Sequence, residues 1–405
     1  MNKVELLAPA GNLDKAKIAL IYGADAVYVG GKELSLRARA SNFSREDLKE
    51  LSNFAKEHQK KVYVTCNIIP HDEDLEGIED YLRFLNEIRI DAIITSSLAI
   101  MMAAKKVAPN VEIHVSTQTS IANSYAISFY QSIGATRVVL AREVTIEEIK
   151  KIKRHTSLEL EVFIHGGMCA SYSGRCTLSN YMTSRDANRG GCAHSCRWNY
   201  RLIKRDKEIN PKGEFFNMGS KDLMAIKEIP SLLKIGVSSL KIEGRMKSSY
   251  YIATVVRSYR MVIDNYYKNG FVKESTINQA QIEIMKAENR LTSCGFLEGM
   301  VTPSEQLYNI RNEEPTKEYV GYILSYDQTT QMALVEQRNY FKCGDTLEFF
   351  GPNLNNTQLV VEDMIDASTN EHLEVARHPL QQVLIKVPFE VHKHDMIRVI
   401  NGNNR

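Results

Sequence analysis

The stretch EVFIHGGMCASYSGRCTLSNYMTSRDANRGGCAHSCRW, Glu161 to Trp198, reads as a strand that opens into a loop. Its head, Leu160 to His165, is an apolar, β-prone run halted by Gly166 and Gly167, the signature of a buried strand ending at a turn. Beyond it the backbone carries Gly174 and the pair Gly190-Gly191, which permit tight folding around four cysteines. Loops that leave the end of a strand are where rigid scaffolds hold their chemistry.

Outward from this stretch the same beat of apolar run, turn and amphipathic helix recurs. The runs are Val4–Ala8, Ala26–Val29, Val62–Cys66, Ala92–Thr95, Ile113–Ser116, Arg137–Leu140, Leu160–His165 and Ser239–Glu243. Helix starts fall between them at Asn12, at Ser44 with Asp47 three residues on, and at Thr145 with Glu148 three residues on. Strands alternating with helices predict a parallel sheet, and eight of them predict a closed (β/α)8 TIM-like barrel, an α/β fold. A doubly wound open sheet is the competing arrangement, but no G-x-G-x-x-G follows the first run. The barrel domain is expected over residues 1–292. It carries a cysteine-rich insertion at about 166–238, between strands seven and eight, and is followed by helices. A linker over 293–317 then leads to a small all-β barrel over 318–405. In that last part short runs at Tyr319–Leu324, Met332–Glu336, Asp345–Phe350, Gln358–Met364, Gln382–Val387 and Asp395–Val399 are punctuated by turn residues.

Four of the seven cysteines, Cys169, Cys176, Cys192 and Cys196, fall within the quoted stretch. No run of about twenty apolar residues is present, and the N-terminal MNKVELLAPAG lacks the apolar core of a secretory leader. The expected location is therefore the cytoplasm, where thiols stay reduced and a disulfide framework is disfavoured. Two readings stay open. Zinc usually takes two close cysteine pairs, and here only Cys192 and Cys196 are close. The wide, uneven spacing suits a larger iron–sulfur cluster better. Cys66, Cys294 and Cys343 read as small buried hydrophobes. With 51 basic and 49 acidic residues the chain is not a wholly basic nucleic-acid binder, so any RNA contact is local.

The ends of the eight runs share one face if the barrel closes. Arg37 and Arg39, Asn67, Gln118, Arg142, and Lys241, Glu243 and Arg245 all fall there. An arginine-rich rim suits a carboxylate or phosphate. Just past the cysteines, Arg197, Arg201, Lys204 and Arg205 interleave with Trp198 and Tyr200, a pattern that suits a nucleic-acid backbone with stacked bases. His165, Tyr172 and Arg185 flank the thiols as candidates to tune a metal group, and with Glu243 they are the candidate catalytic residues. Neither H-E-x-x-H nor G-x-S-x-G occurs. A hydrolase reading would need a cysteine nucleophile with a base such as His165.

The run from Glu161 through Gly166-Gly167-Met168-Cys169 to Leu178-Ser179 resembles the signature of the collagenase-like peptidase family U32. So do SNYMTSRDANRGGCAHSCRW, STQTS at 116–120, LAREV at 140–144 and KIEGRMKS at 241–248. The resemblance spans the chain from Leu7 onward. It implies an oxygen-independent hydroxylase rather than a hydrolase, a 4Fe-4S cluster on Cys169, Cys176, Cys192 and Cys196, and prephenate as co-substrate for members acting on RNA. Length and C-terminal extension look most like the tRNA-hydroxylating branch, which implies tRNA as partner and an electron donor or partner subunit. An rRNA or a quinone ring is the substrate in other branches.

Overall fold

The computed structural model describes residues 3–32, 34, 42–287, 290–307 and 319–400. They form two compact units, residues 3–284 with 290–307, and residues 285–287 with 319–400. Arg37 and Arg39 lie outside the described residues.

The first unit is the expected barrel. Strands Glu5–Pro9, Ala26–Gly30, Lys61–Cys66, Ala92–Thr95, Glu112–Val115, Arg137–Val139 and Glu159–Gly166 pair in chain order. The eighth barrel strand, Ser239–Ile242, is parallel to both the seventh and the first. That double pairing closes the ring. Helices Leu13–Ile21, Arg45–Glu57, Ile78–Glu87, Leu98–Val107, Ser124–Ser132, Ile146–Arg154, Ile229–Ile235 and Ser249–Asn269 accompany the eight strands. The predicted starts are the observed ones: Asn12 accepts from Lys15 N, and Ser44 and Thr145 each complete a capping box. These side chains satisfy amides that the first helical turn leaves unpaired.

Register decides what fills the barrel. Side chains alternate across a strand, so Glu5, Tyr63, His114, Arg137, Glu161 and Lys241 share the interior face. Glu161 is fully buried, and its Oε1 accepts from Lys241 Nζ at 2.7 Å while Oε2 accepts from Arg137 Nη1 at 3.1 Å. Arg137 also reaches Glu5 at 2.6 Å, and Tyr63 donates to Glu5 at 2.5 Å. Burial alone would raise the Glu161 carboxyl, but Lys241 and Arg137 override it and hold it at about 2 instead of the ordinary 4.5.

Between strands seven and eight the chain makes the predicted excursion. Its return leg includes a further strand, Asp222–Met224, antiparallel to the end of the seventh strand. A short strand, Thr292–Ser293, then pairs parallel to that one. Much of the stretch expected as a linker is tied to the first unit. Asn217 Nδ2 donates to Leu307 O at 2.6 Å, and Lys221 N to Glu305 O at 2.9 Å. No helix among the described residues is long and apolar enough to cross a membrane.

The second unit is an antiparallel sheet of seven strands. Their order is Thr357–Val360, Thr346–Phe350, Met396–Val399, Tyr319–Asp327, Met332–Gln337, Gln382–Lys386 and Met364–Asp366. The run predicted as one strand at Gln358–Met364 is two, and they are the two sheet edges. Four Cα steps separate Val360 from Met364, at most about 15 Å. A flat sheet of this size would set its edges about 29 Å apart, so the sheet is rolled. Val320, Val335, Phe349, Met364 and Ile385 pack in the core it encloses.

Lys241→Met would strand Glu161 in the interior without its nearest cation. The expected loss is about 3–5 kcal/mol of barrel stability, read from denaturant midpoints, and the double variant Glu161→Leu/Lys241→Met should recover most of it. A Lys241→Met chain as stable as wild type would contradict the coupling. Because the folded-state carboxyl titrates lower than the unfolded one, its contribution is full above pH 4.5 and fades as pH falls towards 2. Glu161→Gln should therefore flatten the acid limb of the stability curve in that window.

Candidate active site

The mouth of the barrel, at the C-terminal ends of its strands, is covered by the cysteine loop. Gly166 ends the seventh strand at φ 102°, and a Cβ there would come within 2.3 Å of the Glu243 carbonyl oxygen. Gly174 has φ 76°, and a Cβ there would lie 2.2 Å from the Gln118 carbonyl oxygen. Only glycine lets the loop press this close to the ends of the fifth and eighth strands. Further ties hold it. Ser173 N donates to Glu143 Oε1 at 3.0 Å beside the sixth strand, and Ser120 Oγ donates to Ser173 O. After the third strand, Arg189 donates to Glu73 and Asp74 at 3.1 and 2.6 Å and contacts His71 at 3.1 Å. Asn188 Nδ2 donates to Cys176 O at 3.1 Å, and Asn188 O accepts from Ile69 N at 3.0 Å.

These anchors gather the four thiols. Cys169 and Cys192 are exposed, while Cys176 and Cys196 are half-buried. The loop walls around Cys169 desolvate it and raise its thiol, and Cys176 and Cys192 raise it further. Cys196 is raised in the same way, by burial first and then by Cys169, Cys192 and Cys176. Cys169 and Cys196 thus resist ionisation, a penalty that a cationic metal group bound by the thiolates would relieve. Among the described residues no three of these sulfurs gather within 4.8 Å of one another. One tetrahedral zinc would need sulfurs about 3.8 Å apart, closer than any three of these stand to one another.

Below the loop the mouth is cationic. The Arg142 guanidinium stacks 4.0 Å over the Phe163 ring and is felt electrostatically by both Cys169 and Lys241. Lys241 Nζ lies 4.5 Å over Tyr28 and 5.4 Å over Phe163, and burial lowers its pKa against the pull of Glu161. Arg245 is buried, donating to Thr65 Oγ1 at 3.4 Å and Asn42 Oδ1 at 3.0 Å. Gln118 has a buried Oε1 that finds no hydrogen-bond partner among the described residues. Asn67 is half-buried just past the third strand. Glu243 Oε2 sits 3.6 Å from where a Gly167 Cβ would be, and Arg197 Nη2 3.3 Å from the same point.

The other candidates fall in different places. His165 is buried, with its ring against Tyr251 and Tyr259 and its Nδ1 3.2 Å from the Tyr259 hydroxyl, which itself donates to Ile164 O. It is thus packed against the helix Ser249–Asn269. Tyr172 is exposed, and partial burial followed by Glu143 and Glu148 raises its phenol. Arg185 is exposed, and its Cβ lies 2.9 Å from where a Gly191 Cβ would sit. Arg197 donates to Met168 O at 3.2 Å and pairs with buried Asp222 at 3.7 Å, so it braces the cysteine loop from within. Arg201, Lys204 and Arg205 stand exposed around a hairpin of Ile203–Lys204 with Lys207–Glu208. Reading the sequence did not single out Glu161, Arg137, Ser173, Arg189 or Asp222. The available signal was Glu161 at an alternate position of an otherwise apolar strand, where a charge demands a buried partner.

The site is the mouth of a TIM-like barrel, capped by a loop that carries four cysteines over a cationic floor. Residues 11–306 match peptidase family U32 and residues 315–398 match the peptidase family U32 C-terminal domain; the chain belongs to peptidase family U32. It is 46% identical to tRNA hydroxylation protein P1 of Bacillus subtilis, over 98% of this chain and 94% of that protein. It is 34% identical to an uncharacterized protease of Methanocaldococcus jannaschii, over 99% of both. With the 23S rRNA 5-hydroxycytidine C2501 synthase of Escherichia coli it shares 37% identity over 65% of this chain and 40% of that protein.

Gly174→Ala should force the loop off the fifth-strand end. The expected outcome is faster proteolysis or amide exchange within 167–196 while the barrel keeps its circular dichroism. Arg189→Ala should do the same more weakly. Wild-type exchange in both variants would mean that the loop is held by something else.

Proposed function

We propose that this chain is an RNA-modifying hydroxylase that forms 5-hydroxyuridine at the wobble position of tRNA, without molecular oxygen and with prephenate as co-substrate. The observation that carries the reading is the placement of four thiols on one loop over a cationic barrel mouth. Cys169, Cys176, Cys192 and Cys196 would hold a 4Fe-4S cluster, which supplies one-electron chemistry when bound. Similarity to tRNA hydroxylation protein P1 supports tRNA as the substrate class.

The chain's own groups have separable tasks. A dicarboxylate entering the mouth meets Arg142, whose stack on Phe163 fixes its plane and leaves its N–H edge for a carboxylate. Lys241 adds positive charge from the floor, held in place by Glu161. Gln118 offers an acceptor for a hydroxyl proton. Outside, Arg201, Lys204 and Arg205 line a track for phosphates, with half-exposed Trp198 and Phe215 as stacking surfaces.

The hydrolase reading meets two obstacles. The base a cysteine nucleophile needs, His165, is turned onto Tyr259. The Cys169 thiol is raised rather than lowered, the reverse of an activated nucleophile.

The deciding experiment is nucleoside mass spectrometry of bulk tRNA from a deletion strain complemented with wild type or Cys192→Ala, with iron and sulfide assayed on anaerobically purified protein. Wild type should restore 5-hydroxyuridine and carry iron with sulfide, and the variant should lose both. Unchanged tRNA together with a new hydroxylated rRNA base would move the substrate to rRNA. Normal nucleosides in every strain would sink the reading. Separately, Arg201→Glu should weaken tRNA binding several-fold at low salt and reduce the salt dependence, with iron content unchanged.

A further inference from the structure

On the flank of the same unit, three ligating side chains meet that the proposed hydroxylation does not use. Glu228 immediately precedes the helix Ile229–Ile235, Cys294 follows the strand Thr292–Ser293, and Glu298 lies on the next turn. One ligand atom from each lies within 4.8 Å of the others. Cys294 Sγ and Glu298 Oε2 are 3.7 Å apart. A thiolate sulfur and a carboxylate oxygen on one tetrahedral zinc sit about 3.5 Å apart.

The second observation is Glu228 itself. It is 6% exposed, and its buried Oε2 has no hydrogen-bond partner among the described residues. A buried carboxylate oxygen without a donor is costly, and a bound cation is one of the few things that satisfies it. Its neighbours in the cluster are two further anion-forming groups. A divalent ion would satisfy all three groups at once.

We propose that Glu228, Cys294 and Glu298 form a binding site for one zinc-class divalent transition metal, separate from the four-cysteine loop. The thiolate excludes magnesium and calcium, which take oxygen ligands, and favours a borderline ion such as Zn²⁺. Three protein ligands leave a fourth position for water. The metal would tie the 290–298 segment to the base of helix Ile229–Ile235. That segment is already stitched to the barrel by Ile146 N donating to Leu297 O at 2.9 Å. It also backs onto the cysteine loop, since a Cβ at Gly295 would lie 3.4 Å from Met168 Cε. Occupancy would therefore stiffen the wall beside Cys169.

The test uses the full chain purified anaerobically, given one equivalent of Zn²⁺, dialysed, and assayed for zinc and iron per chain by plasma mass spectrometry. Wild type should retain about one zinc per chain. Cys294→Ser and Glu228→Gln should retain none, with iron unchanged. Glu298→Gln, an exposed change that leaves the core intact, should weaken zinc at least tenfold in competition with a chromophoric chelator, which guards against misfolding of the buried variants. Zinc lost from wild type on dialysis, or zinc retained by Cys294→Ser, would overturn the proposal. Neither result depends on whether the chain hydroxylates RNA.

Discussion

Glu161 is gripped from two sides, by Lys241 of the eighth strand and Arg137 of the sixth. Three barrel strands are thereby locked by one buried carboxylate. Strand pairing alone would leave the closure between strands seven and eight as the weak seam, because the longest excursion of the barrel lies between them. The ion pair crosses that seam directly. Such a buried pair contributes little against an apolar replacement, yet losing one partner is severe. It acts as a specificity device for closure and register. Through Arg137 it extends to Glu5 of the first strand, so the interior network spans the ring.

The site follows from that closure. Once strands seven and eight are adjacent, an excursion that leaves one and returns to the other must sit over the mouth. Gly166 and Gly174 set how closely it lies, and Ser173 and Arg189 set where. Arg197, from inside the loop, joins Met168 to Asp222 on the returning strand. The thiols are thus presented by a loop braced at several strand ends, with Arg142 as the charge common to the loop and the barrel floor.

The eight strands were legible because parallel barrel strands are covered on both faces and read as apolar runs between capped helices. The interior network was not, because a charged residue at an alternate position looks the same whether it faces water or a buried partner. Arg197 illustrates the same ambiguity: beside Arg201 it reads as one more surface cation, and only the fold turns it inward. His165 precedes the glycines as a catalytic histidine would, yet tertiary packing against Tyr259 decides its surroundings. In the second unit the run Gln358–Met364 holds no glycine or proline, so the break that makes two edges out of one run has only Glu362 and Asp363 to mark it.

The pairing of residues 5–7 with residues 239–241 has a consequence for biogenesis. On the ribosome the first strand waits for its partner until nearly the whole barrel has been made. The four thiols emerge earlier, since about 46 residues separate Cys196 from Ile242. At about 5–20 residues per second that interval lasts about 2–9 s, during which the thiols have no closed mouth behind them. Four reduced thiols are therefore carried on an unanchored nascent loop until the eighth strand arrives to close the barrel beneath them.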